Sequence, residues 1–79
     1  MKNRTIFIYD RETFGEDLRS LREAQKMSRR QLSIKSKVSY QTIKCLEIGS
    51  RNPLIPLLVD VLRPLGVGEI RIEVPNNDS

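Results

Sequence analysis

The apolar positions change period twice along the chain. Residues 4–9, Arg-Thr-Ile-Phe-Ile-Tyr, are β-branched and aromatic, and residues 69–74, Glu-Ile-Arg-Ile-Glu-Val, alternate polar and apolar at every step. This predicts one strand near each terminus. In the second, Ile70, Ile72 and Val74 fall on one face and Glu69, Arg71 and Glu73 on the other, so it is expected to be half buried. The two strands are expected to pair, within one chain or between two, because a lone two-stranded ribbon is marginal in water. Residues 75–79 read as a flexible tail.

Between the strands the period is helical. Phe14, Leu18 and Leu21 share a face behind Thr13 and Glu16, a capping-box pair, which predicts a first helix over 14–25. Ser28 and Gln31 repeat that chemistry ahead of a short second helix ending near Ser36, with Leu32 inward. Ser39 caps a third helix that turns Ile43 and Leu46 inward and ends at Gly49, a residue suited to a left-handed cap. After a loop at 50–53, Leu54–Leu62 reads as a strongly apolar fourth helix, with Pro56 in its first turn and Pro64 at its end. The predicted core is Phe14, Leu18, Leu21, Leu32, Val38, Ile43, Leu46, Leu57, Leu58, Val61 and Leu65.

Seventy-nine residues, 30% charged and 38% hydrophobic, make one globular domain spanning 1–79, and a core this small favours oligomerisation as a stabiliser. The chain has no histidine and a single cysteine, Cys45. Imidazole catalysis, a Cys/His zinc site and an intrachain disulfide are thereby excluded, and a reducing cytoplasm is expected. No apolar run approaches the roughly 20 residues of a membrane span, and residues 6–8 are too few for a secretory signal. The expected setting is a bacterial cytoplasm. Glu16 and Asp17 complement a helix dipole and need no catalytic role. With no nucleophile beside a base and no Gly-rich phosphate loop, the chain reads as no enzyme, with no cofactor or metal.

Charge is concentrated in the middle of the chain. Residues 14–52 carry nine cations against four acids, and Lys26, Arg29, Arg30, Lys35, Lys37 and Lys44 lie between Glu23 and Glu47 with no acid among them. A polyanionic partner is the natural reading.

Two short helices joined by Lys37-Val38, the second presenting Tyr40, Gln41, Lys44 and Cys45, form a helix-turn-helix pattern. Residues 14–67 resemble the Xre/Cro-type helix-turn-helix family of phage-repressor-like DNA-binding proteins. The carriers are Leu21-Arg22, Met27-Ser28 with Leu32, Val38-Ser39, Ile43 with Leu46-Glu47 and Gly49, Asn52-Pro53, and Leu65-Gly66-Val67. Ser33 and Lys37 depart from the family pattern, which usually has Ala after the helix 2 leucine and Gly in the turn. A strand also replaces the family's usual fifth, dimerising helix. The fold class is thus mostly α: a four-helix domain flanked by two β-strands expected to pair and build a dimer.

The resemblance implies that the third helix enters the major groove, with Tyr40, Gln41, Lys44 and Cys45 toward base edges. It also implies backbone contacts from Ser28, Arg29, Arg30, Ser39, Thr42, Arg51, Asn52 and Arg22. Arg22 and Glu47 match an ion pair that ties the first helix to the end of the third. Each of these residues also has a plainer reading: capping for Ser28, and a solvated surface for the cations. The dimer is expected to form through Ile6, Ile8, Ile70, Ile72 and Val74.

The expected function is a homodimeric, sequence-specific repressor on an inverted repeat in double-stranded DNA, autoregulating its own operon and nucleoid-associated when bound. Small size motivates the autoregulation, since no sensor domain or inducer pocket fits. An antitoxin-like protein that binds the product of a neighbouring gene and co-represses its operon is the alternative, motivated by the terminal strand. An autoregulator in a phage or mobile-element operon is a third reading, which shares the mechanism of the first and differs only in context.

Overall fold

A computed structural model describes residues 5–50 and 52–72. The elements are β1 (Thr5–Tyr9), α1 (Phe14–Ala24), α2 (Arg29–Ser36), α3 (Tyr40–Glu47), α4 (Ile55–Leu62), a 3₁₀ turn (Arg63–Leu65) and β2 (Val67–Ile72). The expectations for Arg4, Arg51, Glu73, Val74 and the tail lie outside the described residues.

The strands pair within the chain, and they pair parallel. Parallel neighbours need a crossover connection; here the whole helical domain supplies it. Phe7 lies opposite Ile70 and Tyr9 opposite Ile72, while Ile6 lies opposite Glu69 and Ile8 opposite Arg71. Directly paired residues share a face. Phe7 is therefore buried with Ile70 packed beside it, whereas Ile6 and Ile8 stand 45% and 50% exposed beside a Glu69–Arg71 ion pair of 2.9 Å. Of the residues expected to build a dimer, Ile6 and Ile8 thus face away from Ile70 and Ile72, while Val74 lies outside the described residues. β2 also begins at Val67 rather than Glu69. The register slips between Thr5 and Ile6, leaving Gly68 without a partner, and such a bulge breaks the alternation that marks a strand in sequence.

The core holds Phe14, Leu18, Leu32, Val38, Ile43, Leu46, Leu58, Val61 and Leu65 as expected, and adds Phe7 and Leu62. Leu21 and Leu57 are only partly buried against it. Phe7 meets Phe14 edge-on with ring centroids 5.9 Å apart, and Tyr9 meets Phe14 at 5.4 Å. These aromatic contacts fasten β1 to the start of α1.

α1 starts without the expected capping box. The Asp10 side chain and carbonyl accept from the backbone N–H groups of Glu12 and Thr13, forming a turn that leaves Thr13 at φ −114°, ψ 1°. With ψ far from extended, the Thr13 hydroxyl donates to Asp17 (2.8 Å) instead of capping the helix. Gly15 follows because α1 crosses the end of α3 closely: a Cβ there would sit 2.5 Å from the Glu47 carbonyl oxygen. At the other end of α1, Gln25 Nε2 donates to the Leu65 carbonyl (2.6 Å).

The turn after α2 accommodates both departures from the family pattern. Lys37 adopts the left-handed conformation at φ 62°. The Ser33 hydroxyl donates to the Val38 carbonyl (2.7 Å), and the Val38 N–H donates to Ser36 Oγ (3.2 Å), so two hydroxyls clamp the turn. A left-handed non-glycine residue costs about 1–2 kcal/mol, part of which glycine returns as unfolded-state entropy. Lys37→Gly is therefore expected to stabilise by roughly 0.5–1 kcal/mol, raising Tm by about 3–6 °C. Thermal unfolding followed by circular dichroism checks this, and an unchanged Tm would rule out strain at Lys37.

Candidate nucleic-acid interface

α2 and α3 are short helices whose starts are secured by serine side chains. Ser28 Oγ accepts from the Gln31 N–H (3.0 Å) while Gln31 Oε1 accepts from the Ser28 N–H (2.8 Å), the reciprocal box read from sequence. Ser39 Oγ accepts from the Thr42 N–H (3.1 Å) and donates to Thr42 Oγ1 (2.8 Å). α3 ends in a Schellman motif: the Ser50 N–H reaches the Cys45 carbonyl and the Gly49 N–H the Leu46 carbonyl, with Gly49 at φ 79°. An eight-residue helix is too short to hold its shape alone, so these caps and the buried Ile43 and Leu46 fix its orientation.

With Ile43, Leu46 and Glu47 buried, the opposite face of α3 is left to solvent. Tyr40 is 47% exposed, Gln41 and Lys44 are exposed, and Cys45 is partly covered. Gln41 Nε2 lies 3.8 Å from Cys45 Sγ, which lays the amide along the helix. The four residues assigned to base edges thus form one continuous polar strip.

Beneath this strip lies a buried ion network. Arg22 Nε donates to Glu47 Oε2 (2.7 Å) and Nη2 to Oε1 (3.0 Å), a two-pronged pair, while Nη1 donates to the Met27 carbonyl (2.8 Å). Arg29 Nε adds a third bond to Glu47 Oε1 (2.9 Å). The Glu47 side chain is 1% exposed. Burial pushes its carboxyl up, but the hydrogen bonds from Arg22 and Arg29 outweigh this and hold it below the ordinary carboxylate value. Hydrogen bonding to Glu47 raises Arg22 and Arg29 in turn. Arg22 therefore uses all three guanidinium nitrogens inside the protein and braces α1 to α3. Arg29 commits one nitrogen to Glu47 and stays one quarter exposed.

Next to α3, an open hollow of about 580 Å³ is lined by Arg19, Arg22, Ser28, Arg29, Arg30 and Tyr40. Four arginines line it beside the start of α2, but Arg22 is spent on Glu47 and the Met27 carbonyl, so Arg19, Arg29 and Arg30 supply the charge that attracts an anion such as a backbone phosphate. Arg19 was not among the residues singled out from sequence, although its position three residues before Arg22 on α1 signals a shared face. It also pairs with Glu23 at 3.1 Å. Of the expected backbone contacts, Ser28, Arg29, Arg30 and Arg22 are brought together here. Ser39 and Thr42 sit at the start of α3, and Asn52 is exposed in the loop before α4. Among the described residues there is no metal-binding cluster, and no helix is long and apolar enough to cross a membrane.

The Helix-turn-helix family model matches residues 18–71. The chain is similar to the uncharacterized HTH-type transcriptional regulator y4dL of Sinorhizobium fredii, 44% identical over 57 residues, which are 72% of this chain and 29% of that protein. It is also similar to the uncharacterized HTH-type transcriptional regulator y4dJ of the same organism, 26% identical over 69 residues, covering 87% of this chain and 90% of that protein. The chain thus spans less than a third of y4dL and most of y4dJ. No solved structure matches it. The match over residues 18–71, on a chain whose α2, turn and α3 are assembled as described, leads to one conclusion: this chain belongs to the Xre-like helix-turn-helix family.

Proposed function

We propose that the chain is a DNA-binding transcriptional regulator that acts as a homodimeric repressor on an inverted repeat, at the promoter of its own operon. The observation that carries this reading is the polar strip of Tyr40, Gln41, Lys44 and Cys45 beside the four-arginine hollow. The strip supplies groups for base edges. The hollow supplies charge for phosphate oxygens. The names of both relatives point the same way.

In this reading α3 lies in the major groove, where the Gln41 amide bonds adenine N6 and N7 together. Tyr40 offers its ring to a thymine methyl, Lys44 reaches guanine or phosphate, and Cys45 permits close approach. Ser28, Arg29 and Arg30 hold phosphate, joined by Arg19. Ser39, Thr42, Arg51 and Asn52 contact the adjoining backbone. The proposed action is binding, not turnover.

Fluorescence anisotropy of a duplex from the chain's own upstream region, against a scrambled duplex, tests the proposal. A preference of about a thousandfold is expected. Gln41→Ala is expected to lower discrimination at one base pair by roughly 1–3 kcal/mol while leaving the scrambled duplex unaffected. Equal binding to both duplexes would contradict an operator in that region. Failure to bind either, with binding restored by the product of a neighbouring gene, would favour the antitoxin-like reading.

A further inference from the structure

β2 is paired along one edge only. β1 occupies that edge, and among the described residues no strand pairs with the other. Unpaired N–H and C=O groups on such an edge are a template for another strand. The sheet is also incompletely covered: Ile70 is only partly buried and Ile72 is 42% exposed. An open groove of about 300 Å³ lies against the strand, lined by Val59, Arg63, Val67, Gly68 and Ile70.

The order of side chains along β2 indicates what fits there. Glu69 and Arg71 share the outer face on either side of Ile70, with the Arg71 side chain 59% and the Glu69 side chain 38% exposed. If a second β2 runs antiparallel across a two-fold axis at Ile70, each Glu69 faces Arg71 of the second copy, and Ile70 faces Ile70. Directly opposite residues have Cβ atoms about 4.5–5.5 Å apart, within ion-pair reach. The next pair sets Ile72 against Gly68, which has no side chain to obstruct it. A parallel approach would set Glu69 against Glu69 and Arg71 against Arg71.

We propose that the free edge of β2 is the homodimer interface, pairing antiparallel with β2 of a second copy about Ile70 to form one four-stranded sheet in the order β1-β2-β2-β1. This rests on the homodimeric reading above and supplies its geometry. The two-fold axis makes the contact isologous, so the assembly closes as a dimer and matches the symmetry of an inverted repeat. Ile6 and Ile8, on the outer face of β1, lie away from the paired edges.

Charge reversal tests the register. Glu69→Arg and Arg71→Glu each set like charges opposite one another and are expected to weaken self-association about tenfold at low salt, read by analytical ultracentrifugation. Mixing the two variants restores opposite charges across the axis, so one chain with Glu69→Arg and one with Arg71→Glu are expected to form a heterodimer near wild-type strength. Both variants lack the intrachain ion pair, so loss of that pair alone gives no recovery on mixing. Unaltered dimers in the single variants, or no recovery in the mixture, overturn the proposal. On a Cys45→Ser background, Ile70→Cys is expected to crosslink spontaneously, since the opposed Cα atoms are within disulfide range. Leu54→Cys, placed among the exposed Ile48, Leu54 and Ile55 around the α3–α4 connection, is expected not to crosslink. The reverse pattern moves the interface to that patch. A monomer that binds a half-site duplex with strong salt dependence overturns this surface while leaving the DNA-binding reading in place.

Discussion

Glu47→Ala is expected to lower stability by about 3–5 kcal/mol, enough to unfold a large part of so short a chain. The carboxylate accepts from Arg22 twice and from Arg29 once. Arg22 is 7% exposed and cannot turn to water without breaking its bond to the Met27 carbonyl. Removing the acid leaves a guanidinium buried beside a second one, with the Met27 carbonyl as hydrogen-bond partner and the exposed Glu23 carboxylate 3.9 Å away. The same lesion frees α1 from the end of α3, where Gly15 allows the two backbones to touch. Chemical denaturation followed by circular dichroism measures the loss. A cost under about 1 kcal/mol, the range of exposed ion pairs, would show that the network is not a structural brace.

The same residue carries a pH dependence of defined sign. The Glu47 carboxyl is held below its ordinary value of 4.5 in the folded state, so the unfolded chain binds that proton more readily. Its stabilising contribution is complete above about pH 4.5 and fades as pH falls through the lowered folded value. Glu47→Gln keeps the shape and one acceptor oxygen but cannot titrate. This variant is expected to start less stable than wild type at pH 7 and to lose less between pH 5 and 3, so that the two curves converge in acid. Parallel curves would assign the acid sensitivity to other groups.

Salt is expected to have the largest effect on binding. If each subunit neutralises about four phosphates, log affinity falls with log salt at a slope near −7, roughly 10⁴-fold between 50 and 200 mM. The hollow provides the physical basis: Arg19, Arg29 and Arg30 are gathered beside Tyr40 and the start of α2, with Lys44 one turn along α3. Arg30→Ala is expected to make the slope shallower by about 2 in the dimer, one contact per subunit, without changing sequence preference. Arg63→Ala, in the groove against α4 and β2, is the control and should leave the slope unchanged. A nearly flat salt response of the wild-type chain would contradict phosphate binding by this face.

Much of the helical architecture was legible because it depends on short-range chemistry. Ser28 with Gln31, and Ser39, announce helix starts through hydroxyls that reach a backbone N–H three residues on. Thr13 with Glu16 has the same spelling and fails, because Asp10 captures the preceding N–H groups and turns Thr13 out of capping geometry. Phe7 was missed in the core because Ile6, Phe7 and Ile8 are all apolar, so alternation could not say which side faces inward. Leu62, followed by Arg63 and Pro64, looked like a helix end; the 3₁₀ turn carries the chain on and buries it. In the candidate site, the strip on α3 was readable from helical spacing, but the hollow was not. Arg19 comes from α1, Arg29 and Arg30 from α2 and Tyr40 from α3.

The sequence by itself determined the helix-turn-helix order, the serine caps of α2 and α3, most of the apolar core, the basic centre of the chain and the Arg22–Glu47 pair. These follow from periodicity, local hydrogen bonding and a family pattern carried by consecutive residues. Only the tertiary structure decided that the terminal strands pair parallel within one chain, that a bulge at Gly68 sets their register, and that Ile6 and Ile8 lie on the face opposite Ile70 and Ile72. It alone showed Arg29 as a second partner of Glu47, supplying the third hydrogen bond. Strand register and contacts between distant segments depend on how the helical core closes the loop between them, and no local pattern encodes that closure.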